Sequence, residues 1–383
     1  MITVLNVIDT GGPGGAETVF LNICAGLDPT EFRSISVVSR EGWLADSLRA
    51  RGATPWIIPS RGSLSIRYLR QIMHAARSGK ADVIAGHLYG SAVYCSLAGK
   101  LLGIPVVSVL HGQSDIAKGG RFPGLKKFLV RTGTKRLVFV SDRLRQDLTA
   151  ALRVSDEQCA VIPNGVDIDR FSGVTGRPLR TELGLQGDQI LVGAVGNIRS
   201  PKAYDVFLRA AKLLKDHSPR YRFAIAGEGS GKLYDEMLTL RRELDLEREV
   251  TFLGLRSDVA EILHSLDVYV LSSTTEGFSI ACVEAMAAGT PVVATRSGGP
   301  EEIVEHERSG LLVPTQNPRA VADAVRRFEL DSSLASELTA NALKRVQRRY
   351  TLSSMLRAYE QLFRDTVAGN ESRGAPVELG RGR

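Results

Sequence analysis

The amino-acid sequence predicts an α/β protein of two domains, each a parallel sheet with crossover helices, and three observations carry that reading. The chain has 383 residues, more than one hydrophobic core usually holds, since single cores stop growing at roughly 250 to 300 residues. Short apolar runs alternate with helix-period segments through both halves, the pattern left by strands buried on both faces and by the helices that cover them. Between the two series lies a turn-rich stretch from Pro163-Asn164-Gly165 to Gly176-Arg177-Pro178, and the domain boundary is expected there.

Taken in order, the first half offers strands over 3–8, 34–38, 54–58, 83–86, 105–110, 136–140 and 159–162, with helices between them. The opening run from Thr3 to Ile8 has no basic start and no small-residue cleavage site, so it reads as a buried strand rather than a signal peptide. The second series begins at 190–195 and continues with 221–226, 250–252, 268–271, 291–294 and 310–313. Residues 334–364 carry a helical pattern through Leu338, Leu343, Val346, Met355, Leu356, Tyr359 and Leu362, interrupted near Tyr350-Thr351. From residue 369 the composition turns to Gly, Pro, Arg and Glu, the signature of a disordered tail.

Hydrophobic residues make up 43% of the chain and charged residues 24%, values that exclude a collagen-like or wholly disordered chain. The formal net charge of +7 favours an anionic partner without choosing among nucleic acid, nucleotide and acidic membrane. Cys24, Cys95, Cys159 and Cys282 are widely spaced, with no Cys-x-x-Cys pair. Neither a disulfide framework nor a structural zinc site is expected, and a reducing, cytoplasmic setting follows. No apolar run approaches the roughly 18 to 20 residues that span a bilayer, so the protein is expected to be soluble or at most peripheral. In the 121–136 segment Arg121, Lys126, Lys127, Arg131, Lys135 and Arg136 are interleaved with Phe122, Leu125, Phe128, Leu129 and Val130. It reads either as an amphipathic helix on an anionic membrane or as a solvated helix face packed on the sheet. No aromatic stacking platform accompanies the charge, so nucleic-acid binding is not expected.

Four constellations carry candidate chemistry. In the first, a strand ends near Leu271, a polar loop holds Glu276 and Gly277, and a helix from about Ser279 to Ala288 carries Glu284 and closes at Gly289. The free N–H groups of Phe278, Ser279 and Ile280 would sit at the carboxyl end of a parallel strand, where open α/β sheets bind anions. The carboxylates of Glu276 and Glu284 suit sugar hydroxyls; an ordinary acidic helix start is the bland alternative. In the second, a strand ends in Gly196-Asn197-Ile198-Arg199-Ser200-Pro201-Lys202, where two cations can meet the charge that develops on a departing diphosphate, unless both are merely solvated.

The third constellation is the glycine-rich loop with Gly12, Gly14 and Gly15 that opens the first helix. It matches neither the dinucleotide fingerprint nor the Walker form. In the fourth, His111 directly follows a core strand, in the run Val109-Leu110-His111-Gly112-Gln113, and can reach a ligand there or be structural. Gly227-Glu228-Gly229 forms a tight turn after another strand, and Asp167-Ile168-Asp169 reads as turn chemistry rather than a metal pair.

These segments, in this order, resemble the family 4 glycosyltransferases, retaining enzymes of the GT-B architecture, over nearly the whole chain. The matching pieces are 11–17, His111-Gly112, 162–167, 196–202, 226–229, 276–284 and 297–301. The resemblance implies two Rossmann-like domains facing across a cleft, the nucleotide held mainly by the C-terminal domain and the acceptor mainly by the N-terminal one. A last helix would cross back to the first domain. The expected division is 1–172 with a helix at about 350–368, then 173–349, then a tail over 369–383.

On the same resemblance Glu284 holds the ribose, while Glu276, Gly277 and the N–H groups of Phe278, Ser279 and Ile280 hold donor sugar and phosphate. Lys202 with Arg199 binds the diphosphate, Gly196, Gly227 and Glu228 lie along the donor, and His111 contacts the transferred sugar. The loop with Gly12, Gly14 and Gly15 lies near donor or acceptor. Two positions depart from the family pattern: Asn197 stands where Arg commonly follows the glycine, and Ala203 where Gly commonly follows the lysine.

The function implied is transfer of a sugar with retention from a UDP- or GDP-type donor to a glycan, glycolipid or small acceptor, front-face attack being favoured. No cofactor and no metal are expected, because Lys202, Arg199 and the helix start supply the positive field. A non-catalytic sugar-nucleotide or glycan-binding partner of another transferase is the alternative that the departures at Asn197 and Ala203 raise. A nicotinamide-dependent oxidoreductase rests only on the first glycine-rich loop.

Overall fold

The structure is a computed structural model and describes residues 1–60, 65–112 and 121–374. Gln113 and the part of the expected tail beyond 374 lie outside the described residues. The thirteen expected strands all form, most within one or two residues of the sequence reading. They make two sheets whose pairings are all parallel, one of seven strands and one of six, and in each the strand order reverses once. The chain divides into two compact units, each built on one sheet.

In the first unit the strands are β1 (Ile2–Ile8), β2 (Phe32–Val38), β3 (Trp56–Ile57), β4 (Val83–His87), β5 (Val106–Leu110), β6 (Arg136–Phe139) and β7 (Cys159–Val161). Their apolar residues sort by the two-residue period of a strand. On β1, Leu5 and Val7 join a core with Val37, Ile72, Ile84 and Val106. Ile8 turns to the opposite face, against Phe20, Leu21, Val38, Leu44 and Leu48. Burying each of these side chains fully is worth about 1.5–3 kcal/mol, so both faces hold the helices down. The switch point, where strand order reverses, lies between β1 and β4.

The second unit holds β8 (Ile190–Val195), β9 (Tyr221–Ala226), β10 (Val250–Gly254), β11 (Val268–Leu271), β12 (Val292–Thr295) and β13 (Leu311–Val313). Phe207, Leu214, Phe223, Val270, Val325 and Phe328 fill a core on one face. Its switch point lies between β8 and β11.

The unit boundaries differ from expectation. The second unit takes Pro163–Ser354 and also Ser141–Leu144, while the first takes the chain from Met355 on. The stretch 163–172 follows the second unit because its backbone is bonded there: Val166 N donates to Tyr350 O and Leu352 N to Val166 O, both at 2.8 Å. A Cβ at Gly165 would lie 2.4 Å from Thr351 O. Ser141 follows because its hydroxyl donates to Gly277 O at 2.6 Å.

The helical pattern breaks at Tyr350-Thr351 as read, into helices Ser332–Arg349 and Leu352–Gly374. The latter passes the expected tail start at 369, so the glycine- and arginine-rich composition there does not end it. Its buried Tyr359 and Phe363 belong to the first unit.

Candidate active site

Open parallel sheets bind ligands outside the carboxyl ends of their strands, at the switch point. In the second unit the segments that leave β8 and β11 meet there. Gly196 directly follows β8 with φ +151°, a conformation that favours glycine, and the turn Ser200–Lys202 comes next. Lys202 Nζ lies 2.7 Å from Glu276 Oε1, in the loop after β11. The same Glu276 oxygen accepts from the Ser273 hydroxyl at 2.6 Å. The loops are also tied through their backbones, Ser272 Oγ donating to Lys202 O at 2.9 Å and Thr274 N to Pro201 O at 2.8 Å. With side chains only 23% and 11% exposed, the pair is more fixed than a surface ion pair, whose worth is about 0–1 kcal/mol.

Backbone contacts that admit nothing larger than glycine hold the Glu276 loop. Gly299 N donates to Glu276 O at 2.9 Å; a Cβ at Gly298 would stand 2.9 Å from Glu276 O, and one at Gly299 2.5 Å from Gly277 O. Helix Ile280–Ala287 follows, a residue shorter at each end than read, with the Ser279 hydroxyl capping it by accepting from Cys282 N at 3.3 Å. Gly289 is left-handed at φ +72°, as a helix terminator should be. Phe278 is buried against the Tyr350 ring, centroids 5.8 Å apart. Among the described residues nothing accepts from the backbone N–H groups of Phe278, Ser279 or Ile280, so they remain open to an anion.

Glu284 projects from this helix, half-buried, and its carboxylate makes no hydrogen bond or ion pair with a described residue. Burial pushes its carboxyl up to about 7, against the opposing field of Arg170. Arg199 is exposed and forms no ion pair with a described residue. Lys202 and Glu276 are thus brought together by the fold, whereas the side chains of Arg199 and Glu284 form no ion pair with a described residue.

The two family departures have local explanations. Asn197 Oδ1 accepts from Glu228 N at 3.0 Å, and Ile198 N donates to Glu228 O at 2.8 Å. Asn197 therefore clasps the turn after β9 to the cationic loop. Gly227 is packed so tightly beneath it that a Cβ would fall 2.0 Å from Gly196 O. Ala203 occupies the left-handed region at φ +47°, the backbone state in which a glycine is unstrained. The Asp167 turn is of the expected kind, Asp167 Oδ1 accepting from Asp169 N at 3.2 Å.

In the first unit His111 directly follows β5, half-buried, and burial lowers its imidazole to about 4. Its ring stacks on His87 with centroids 5.7 Å apart and planes at 23°. His87 is fully buried at the end of β4, and neither ring nitrogen has a hydrogen-bond partner among the described residues. Burial and the neighbouring His111 hold it neutral, well below the usual histidine range. Sequence reasoning gave His87 a weaker placement than His111; the signal available was a histidine at the exit of a central strand, one residue past its expected end.

Asp9, leaving β1 beside β4, is a missed group. Burial pushes its carboxyl up to about 6, opposed by a backbone hydrogen bond and the Ser91 hydroxyl. In the glycine loop a Cβ on Gly12 would meet the Arg40 guanidinium at 3.4 Å, and one on Gly14 the Glu17 carboxylate at 2.3 Å. Gly15 begins helix Gly15–Gly26.

Two Rossmann-like sheets, the second with an ion pair and an open helix start at its switch point, define the class: the fold is that of the GT-B glycosyltransferases. HepE of Anabaena, solved in complex with UDP-glucose, superposes with a TM-score of 0.84 at 22% identity, covering 96% of this chain and 100% of that one. The model of the glycosyl transferases group 1 matches residues 177–345, and that of glycosyltransferase family 4 matches residues 13–170. A D-inositol 3-phosphate glycosyltransferase of Actinosynnema mirum is 30% identical over 313 residues, 76% of this chain and 75% of the relative. The UDP-Gal:alpha-D-GlcNAc-diphosphoundecaprenol alpha-1,3-galactosyltransferase of Escherichia coli is 24% identical over 359 residues, 88% and 91% of the two chains. The chain belongs to the family 4, group 1 glycosyltransferases.

Proposed function

We propose that the protein transfers a sugar, with retention, from a nucleotide-diphosphate-sugar to a glycan, glycolipid or small acceptor in the cytoplasm. The observation that carries this reading is the Lys202–Glu276 pair at the second unit's switch point, beside the open N–H groups that precede Glu284. A UDP-type donor is supported by the UDP-glucose bound to the structurally similar HepE, with GDP-type donors the other class considered. A lipid-linked acceptor is supported by the name of the Escherichia coli relative.

In this mechanism Lys202 and Arg199 meet the diphosphate, Glu284 accepts the ribose hydroxyls, and Gly196, Gly227 and Glu228 shape the donor's bed. Glu276 and the N–H groups at Gly277, Phe278, Ser279 and Ile280 hold sugar and phosphate. The bond from the anomeric carbon to the diphosphate oxygen breaks while the acceptor oxygen bonds the same face. The acceptor's proton passes to the departing oxygen. Charge grows on the diphosphate as the bond opens, and fixed cations and N–H dipoles lower that barrier without a metal ion. His111, neutral above about pH 4, offers an uncharged hydrogen bond to the transferred sugar.

The test is donor hydrolysis and transfer by purified protein in chelator, beside Lys202→Ala and Glu276→Gln. Each substitution is expected to cut turnover by about 10²- to 10³-fold, the loss seen when one preorganised stabilising group is removed. Unchanged turnover in both variants removes the mechanism. Dependence on added metal removes its metal-free form.

A further inference from the structure

Helix Pro123–Gly133 presents its apolar residues in two directions. Val130 is buried, and the helix packs on its neighbour Leu88–Leu102 so closely that a Cβ at Gly133 would lie 2.5 Å from Ser96 O. The other direction is left exposed. Phe122, Leu125 and Phe128 recur every three residues along one stripe and are 51%, 46% and 48% exposed. Leu101, on the neighbouring helix, is 57% exposed. Phe122 is moreover held in the left-handed region at φ +60°, a costly conformation for a bulky side chain.

Cations border this stripe. The Arg121 guanidinium lies 5.3 Å from the Phe122 ring centroid, and Arg131 and Lys100 lie 5.8 and 5.9 Å from that of Phe128. Lys126 and Lys127 occupy the same helix, which carries no acidic residue. A soluble surface does not need large apolar side chains in a row, and a row edged by cations is complementary to a surface that is apolar inside and anionic outside.

We propose that this stripe docks the protein on an anionic lipid bilayer, with Phe122, Leu125 and Phe128 entering the headgroup–acyl boundary. Lys100, Arg121, Lys127 and Arg131 engage the lipid phosphates. Interfacial helices bind in this way, by apolar burial plus attraction to anionic lipids. The sheet-packing alternative accounts for Val130 but leaves the exposed stripe without a role.

The experiment is co-sedimentation of the full chain with phosphatidylcholine vesicles and with vesicles carrying about 30% phosphatidylglycerol, at low salt and at about 0.5 M NaCl. Binding is expected only to the anionic vesicles, and to fall with salt. Lys127→Glu with Arg131→Glu should lower the partition coefficient by about fivefold or more per charge. Phe122→Ser with Phe128→Ser should lower it even where the charges remain. None of these positions belongs to the donor site, so donor hydrolysis in free solution should be unchanged; it reads the catalytic proposal separately and reports folding. Equal binding to neutral vesicles, or no binding to anionic ones, overturns the proposal. So does a dimer in vesicle-free solution that the Phe substitutions dissociate, which assigns the stripe to a second copy.

Discussion

Glu284 combines two properties at the scale of one residue: a carboxylate with no hydrogen-bond partner among the described residues, and a carboxyl pushed by burial from its ordinary 4.5 to about 7. The folded chain therefore binds more protons than the unfolded chain between these values. By linkage, Glu284 favours the folded state fully below about pH 4.5, and that contribution is lost as pH rises through about 7. Glu284→Gln removes the charged form, so it should raise the thermal midpoint of the ligand-free protein at pH 8 and leave it nearly unchanged at pH 5. If the carboxylate accepts ribose hydroxyls, nucleotide-sugar affinity should weaken as pH falls below about 7, by up to tenfold per unit. A nucleotide-sugar is the right probe because its diphosphate does not titrate in this window. Calorimetric titration of both proteins between about pH 5 and 8 checks the expectation; an identical pH slope in the Gln variant excludes Glu284 as the titrating group.

Elements show most clearly what was readable from sequence. Strands declare themselves through apolar runs of four to seven residues between turn signals, and the thirteen expected strands formed because both faces of each sheet are covered. Lys202 and Glu276 were legible as separate motifs, but not their 2.7 Å contact, which depends on β8 and β11 becoming neighbours across a switch point. His87 was given too little weight and Asp9 was missed because their chemistry comes from burial beside elements far away in sequence, which no local spacing encodes. Ala203 was legible as a departure yet not as strain. It caps helix Tyr204–His217 with φ +47° and ψ +52°, where a Cβ carries a penalty of roughly 1 kcal/mol that glycine avoids. Ala203→Gly should therefore stabilise the protein, or at worst be neutral once glycine's freedom in the unfolded chain is included, and should leave turnover intact. Chemical denaturation checks it, and a loss above about 1 kcal/mol shows that the methyl group, only 7% exposed, packs for more than its backbone costs.

At the scale of the whole molecule, the helix Leu352–Gly374 makes the first unit depend on the far end of the chain. Tyr359 and Phe363 are fully buried in that unit, Phe363 lies 6.4 Å from Phe32 on β2, and Leu356 Cδ1 comes so near Gly26 that a Cβ there would stand 2.7 Å away. Lys135 Nζ donates to Thr366 O at 3.1 Å beside β6. The residues proposed to hold the nucleotide, in contrast, belong to the second unit. Phe363→Ala should cost about 3–5 kcal/mol, as large core truncations do, and the loss should appear as faster amide exchange in β1 and β2. A nucleotide-sugar at a hundredfold excess over its Kd should stabilise by about 2.7 kcal/mol, slowing exchange at 277–284 instead. Hydrogen exchange of both proteins, with and without nucleotide-sugar, separates the two effects by location. If Phe363→Ala loosens the second unit's strands as much as β1 and β2, the C-terminal helix supports the whole chain rather than completing its first unit.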